Sequence, residues 1–184
     1  MRLTGGISGA TPTLSLTGTY SFKIATNGHV TKGSTYGNIT SGLNTGDMTN
    51  VYNSNIDDGS VNLDPVSNAG FPVSFLGNSY TFLAVSGNGG FSFGSQNDNR
   101  IGNDTPNSPL TSGGTPCLYM VNNDANLQQV YSLLTGTPGY QTLIYKIRGN
   151  TTWNNSVGDV NYEYDIYFYE AAPGQVDVVV NQEP

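Results

Sequence analysis

Glu163 and Asp165 lie two positions apart in the segment YEYDIYFYE, residues 162–170. On a strand that spacing puts two carboxylates on one face about 7 Å apart, a separation at which paired acids can attack a glycosidic bond. By parity the face they share is the outside of the sheet, so the expectation is solvated surface charge rather than a catalytic pair. In Tyr140–Arg148, Leu143, Tyr145 and Ile147 take one face, and Lys146 and Arg148 take the other.

The remaining reactive residues are few. His29 is the only histidine, with no CxxC or HExxH pattern in the chain, so a zinc site lacks its parts, and a Ser-His-Asp triad would have to be assembled around His29 alone. Its place in Thr26-Asn27-Gly28-His29 reads as a solvated turn residue. Cys117 is the only cysteine, which excludes an internal disulfide, and between Pro116 and Leu118-Tyr119-Met120 it reads as a small buried residue at a strand start.

Hard oxygen ligands cluster in Asn97-Asp98-Asn99 with Asn103-Asp104, in Asp57-Asp58, and in Asn122-Asn123-Asp124. Calcium is the cation that such loops would take, but none follows the EF-hand pattern. Asn and Asp side chains also bond their own backbone in turns, and turn chemistry without a cofactor is the preferred reading. Asn97 and Asp98 are kept as candidate binding residues in the long Gly- and Pro-rich loop 94–116. Trp153 and Asn154, in Thr151-Thr152-Trp153-Asn154-Asn155, are candidates of a second kind, an exposed ring that stacks on a sugar or anchors a partner. The competing expectation is a Trp folded back over the sheet edge.

These residues need strands to hold them. Period-two alternation predicts strands over Tyr20–Ala25, with a return strand from Val30, and over Tyr140–Arg148, Tyr162–Glu170 and Gln175–Asn181. The stretch FPVSFLGNSYTFLAVSGNGGFSFGS, residues 71–95, reads as three short strands: Phe71–Phe75, Tyr80–Ser86, and Phe91 with Phe93 after a Gly87–Gly90 turn. Residues 31–61 read as loop or short edge strands. In Asp124–Leu134, Leu127, Val130, Tyr131 and Leu134 fall at i, i+3, i+4 and i+7, which predicts one short helix or helical turn. The fold expected is all-β, an antiparallel two-sheet sandwich of jelly-roll type. Its division would be a Gly/Ser/Thr-rich arm or small β extension over 1–56 and the sandwich over 57–184.

The chain has 184 residues, enough for one domain with a real core, and only 10% of them are charged. Six basic residues against thirteen acidic ones, a net charge of −7, leave nothing to neutralise a row of phosphates, so nucleic acid is a poor partner. The longest wholly apolar run is five residues, Cys117–Val121, against about 20 for a membrane-spanning helix. Membrane insertion is therefore not expected, and no apolar stretch near Met1 has the length of a secretory signal.

The order in Phe71–Gly94 is apolar-Pro-apolar, Gly, Tyr, a Val-containing strand, Asn-Gly and Phe-Gly. With Tyr140–Arg148 and the late strand Ile166-Tyr167-Phe168-Tyr169-Glu170, it resembles a β-sandwich of extracellular and virion proteins. The charge-poor style resembles structural proteins of tailed bacteriophages, particularly those of marine or cyanobacterial hosts. The resemblance covers about residues 57–181. It implies a non-enzymatic virion protein, a capsid decoration or cement subunit made in the host cytoplasm and released by lysis. Its partners would be other virion proteins, with a homotrimer among the assemblies expected. The alternatives are a tail or fibre module that binds a host surface glycan, and a cellular extracellular adhesin or carbohydrate-binding module.

Overall fold

A computed structural model of the chain describes residues 2–4, 20–24, 30–33, 43–94, 116–119, 125–151 and 160–182. In chain order the strands are β1 (Arg2–Thr4), β2 (Tyr20–Ile24), β3 (Val30–Gly33), β4 (Thr49–Ile56), β5 (Ser60–Leu63), β6 (Val73–Phe75), β7 (Asn78–Tyr80), β8 (Leu83–Ser86), β9 (Gly90–Phe93), β10 (Cys117–Tyr119), β11 (Asn126–Thr135), β12 (Thr142–Asn150), β13 (Tyr162–Tyr169) and β14 (Val176–Gln182). A seven-stranded sheet runs β3-β2-β14-β13-β12-β11-β4, a five-stranded sheet runs β1-β10-β9-β8-β5, and β6-β7 form a small hairpin. Every pairing is antiparallel. The fold is the all-β sandwich that the alternation predicts. Strands β2, β3 and β4, which precede residue 57, are hydrogen-bonded into the larger sheet.

The core lies between the two large sheets. Leu143, Tyr145 and Ile147 from β12 and Tyr162, Tyr164, Ile166 and Phe168 from β13 meet Leu83, Val85, Phe91 and Phe93 from β8 and β9. Phe91 and Phe93 stand 6.0 and 6.1 Å, ring centre to ring centre, from Phe168, and Phe93 stacks on Phe75 at 4.0 Å. Residues 73–93 of the aromatic stretch therefore supply one wall of the core, as offset and edge contacts between rings favour. The expected Tyr80–Ser86 strand starts as β8 at Leu83, and Tyr80 instead ends β7, which Leu76 and Gly77, both at positive φ (49° and 80°), turn back onto β6.

The helix predicted within residues 124–134 is instead the strand β11. The helical spacing has a local cause: the register with β12 shifts between Leu127 and Gln129, so Gln128 is the extra residue of a β-bulge. The bulge lets Leu127 and Val130, three apart, both enter the core. Sequence spacing alone does not separate that pattern from a helical turn. The one α-helix among the described residues is α1 (Pro65–Ala69). Asp64 caps it by accepting from Ser67 N at 2.9 Å, Pro65 begins it, and Gly70, at φ 78°, ends it. The same Ser67 donates its hydroxyl to Asp64 Oδ2 at 2.7 Å.

The two sheets are tied by polar contacts as well. In the β8–β9 turn the buried Asn88 receives Ala125 N at 2.9 Å on Oδ1, which fixes the entry to β11. Tyr145 reaches from β12 to α1.

Candidate functional site

The carboxylates of Glu163 and Asp165 share a face of β13, as their parity requires, but that face is not solvated. Asp165 is fully buried and the Glu163 side chain is 16% exposed. The physical reason is a second apolar cluster on this side of the larger sheet. It consists of Met48, Ile144, Tyr167 and Val179, with Leu43, Tyr131, Leu133 and Tyr169 packed against it. The surface-charge expectation is therefore corrected to a buried ion cluster.

Antiparallel register builds the cluster. Lys146 on β12 lies opposite Asp165, and Arg148 lies opposite Glu163. Lys146 Nζ is 2.7 Å from Glu163 Oε1 and 3.0 Å from Asp165 Oδ1, and Arg148 Nε is 2.9 Å from Glu163 Oε2. Arg148 Nη1 donates to Gln129 Oε1 at 2.7 Å, and Gln129 Nε2 donates to Asn53 Oδ1 at 3.1 Å. On the other side Asn181 Nδ2 donates to Asp165 Oδ2 at 2.8 Å. The result is a chain of partners from β4 to β14. Burial pushes the Asp165 carboxyl above its ordinary value against the opposing pull of Lys146 and Asn181. Both carboxylates are taken up by cations within the fold, and neither lines the cleft described next.

A second feature lies at the end of the sandwich. The β11–β12 hairpin turns through Gly136 and Gly139, at φ 91° and 88°, and presents Tyr140, which is 77% exposed, with Leu134 beside it. Glu170, just past β13, accepts from Gly139 N at 2.7 Å and Gln141 N at 3.1 Å on its Oε2, so one carboxylate grips the amides on both sides of Tyr140. Glu170 also lines a cleft of about 200 Å³ with Phe71, Pro72, Phe168, Pro173 and Gly174. A half-buried carboxylate over an apolar, partly aromatic floor can take an amphipathic group, whether a side chain or a sugar, and Tyr140 is exposed on the neighbouring turn.

Of the residues expected to bind, Trp153, Asn97, Asp98 and Asn154 all lie outside the described residues, as do His29 and the Asx clusters at 97–104 and 122–124. Asp57 and Asp58 form the turn between β4 and β5, and among the described residues no three His, Cys, Asp or Glu side chains converge as a metal site. Cys117 is buried at the start of β10, as expected. Sequence reading passed over Tyr140 and Glu170. The signal for them was the Thr137-Pro138-Gly139 turn between two strands, with a Tyr at its end.

No curated protein and no solved structure matches the chain. The model of the family described as NIDO related matches residues 19–184, from just before β2 to the C-terminal residue. A match of that extent takes in most of both large sheets, the ion cluster and the Tyr140 hairpin, and the chain belongs to the NIDO-related family.

Proposed function

We propose that the chain is a non-enzymatic structural protein that acts through contacts with neighbouring subunits, as a decoration or cement subunit on a virion surface. The observation that carries the contact role is the hairpin end, where a 77% exposed Tyr140 stands on a turn clamped by Glu170. A large ring on a backbone already held in place loses less freedom on binding than one on a loose turn, and such rings are common anchors of protein interfaces. The low charge of the chain also suits close packing against neighbours. The virion setting is supported by the resemblance of the sequence to phage structural proteins alone, and the family match does not bear on it.

The test is to look for the chain by mass spectrometry in particles purified from a lysate, and to repeat this with Tyr140→Ala. The reading expects the chain in the particles and its loss, or a several-fold reduction, in the variant. A chain absent from particles removes the virion setting.

A second reading is a glycan-binding module, either on a tail or fibre or as a cellular extracellular adhesin. The cleft favours it, because Phe71 and Phe168 line it together with the Glu170 carboxylate, an aromatic surface and a hydrogen-bond acceptor of the kind a sugar uses, and the exposed Tyr140 stands on the turn that Glu170 holds. Glycan-array binding that is lost in Tyr140→Ala and in Glu170→Gln would select this reading over subunit packing.

A further inference from the structure

Lys146 and Asp165 face each other across β12 and β13, and both side chains are wholly buried. A desolvated ammonium and carboxylate recover their lost hydration only through well-formed hydrogen bonds. Here those bonds are divided. Lys146 Nζ donates to Glu163 Oε1 at 2.7 Å. Its 3.0 Å contact with Asp165 Oδ1 is not aligned as a hydrogen bond, and Oδ1 is buried with no hydrogen-bond partner. Asp165 Oδ2 is held by Asn181 Nδ2 at 2.8 Å. One oxygen of the carboxyl is thus polarised by a donor, the other lacks a hydrogen bond, and an amine is poised beside them.

We propose that the folded chain joins Lys146 to Asp165 by a side-chain amide bond, with Glu163 as the proton-transfer group. The Lys146 ammonium first gives one proton to Asp165 Oδ1, leaving a neutral amine and a neutral carboxylic acid. The Nζ lone pair attacks Cγ, the C–N bond forms, and the carbonyl π pair moves onto Oδ2, where Asn181 Nδ2 holds the developing charge. Glu163 Oε1 takes a proton from the now cationic nitrogen and delivers it to the Oδ1 hydroxyl. The carbonyl re-forms at Oδ2, the Cγ–Oδ1 bond breaks, and Oδ1 leaves as water. Glu163 ends as a carboxylate, one water is released, and no oxidant or cofactor is consumed.

Three features of the surroundings suit this step. The ion pair of Arg148 Nε with Glu163 Oε2 at 2.9 Å turns the other oxygen, Oε1, towards Nζ. Burial raises the Asp165 carboxyl, which favours the neutral acid that the attack requires. Ile144 on β12 and Tyr167 on β13 share the face of Lys146 and Asp165 and cluster with Val179 of β14, which is paired with Asp165 in register. Holding the amine against the carboxyl group, here 3.0 Å from Nζ to Oδ1, and away from bulk water is the main contribution a protein makes to such a condensation.

The experiment is the intact mass of the freshly purified full chain under denaturing conditions, followed by tryptic mapping. The expected result is a mass one water below that of the sequence. Trypsin should leave Lys146 uncut, with peptide 101–148 joined to peptide 149–184. Glu163→Gln, Asp165→Ala and Lys146→Arg should each return the chain to full mass. A wild-type chain at full mass overturns the proposal, as does a water loss that maps elsewhere, such as a succinimide at Asp58-Gly59. The wild-type measurement decides the matter even if every variant fails to fold.

Discussion

Tyr145 Oη donates a 2.7 Å hydrogen bond to Asn68 Oδ1, so a residue of the larger sheet is bonded to the short helix α1, which follows the smaller sheet's strand β5 in the chain. Desolvation first, and the charge of Asp64 second, push the Tyr145 hydroxyl well above its ordinary value, which keeps it a donor. Tyr145→Phe and Asn68→Ala should each lower stability by about 1 kcal/mol, and the double variant should lose less than the sum. Urea midpoints with an unchanged slope check this. Additive losses would mean that the bond contributes nothing.

Alkaline pH should loosen the fold. Burial raises the hydroxyls of Tyr162 and Tyr164 above the ordinary 10.0, and burial with nearby Asp165 and Asp177 does the same for Tyr167. For a group whose folded value is raised, the stabilising contribution is full below the unfolded value and is lost as pH rises above it. The denaturant midpoint should therefore fall progressively above pH 10, with phenolate absorbance appearing late and together with unfolding. A midpoint flat through that range would contradict the burial of these rings.

Gly149→Ala should be among the most damaging single changes. A Cβ at Gly149 would collide with the Tyr162 hydroxyl and with the backbone oxygen of Asn126, neither of which has room to retreat inside the sheet. The expected cost is about 1–3 kcal/mol or more, read from the melting temperature. Gly139→Ala meets no atom but forces a side chain onto φ 88°, so a smaller loss is expected there.

Glu170→Ala should free the hairpin end without unfolding the sandwich. The amides of Gly139 and Gln141 lose their carboxylate, so their hydrogen exchange should speed up several-fold while Leu143–Ile147 remain protected. Tyr140→Ala should leave stability within about 0.5 kcal/mol, because the ring is mostly exposed, and should still impair partner binding. A large stability loss in Tyr140→Ala would show that the ring packs on the fold rather than on a partner.

Strands with strict alternation and clear ends were legible in the sequence: β12, β13 and β14 fall within two residues of their predicted bounds, and β2 and β3 begin where expected. The faces of Lys146, Arg148, Glu163 and Asp165 were legible too. Their burial was not, because parity assigns a residue to a face and says nothing of whether that face is covered. The β11 strand was hidden by its bulge, which shifts the period by one residue at Gln128. The α1 helix was passed over because five residues are too few for periodicity, although Asp64-Pro65 and Gly70 marked both ends. Glu170 could be placed on a strand end by sequence, but its grip on two amides 29 and 31 residues away depends on tertiary structure.

The chain of hydrogen bonds and ion pairs from Asn53 through Gln129, Arg148, Glu163, Lys146 and Asp165 to Asn181 crosses five adjacent strands. If any of those strands slipped by one residue, its charged or amide side chains would turn to the opposite face and leave their former partners unpaired on a covered face. The series thus acts as an alignment code. Each strand carries the complement that its neighbour needs at one position, and misaligned pairings, including those with a strand from another copy of the chain, are penalised.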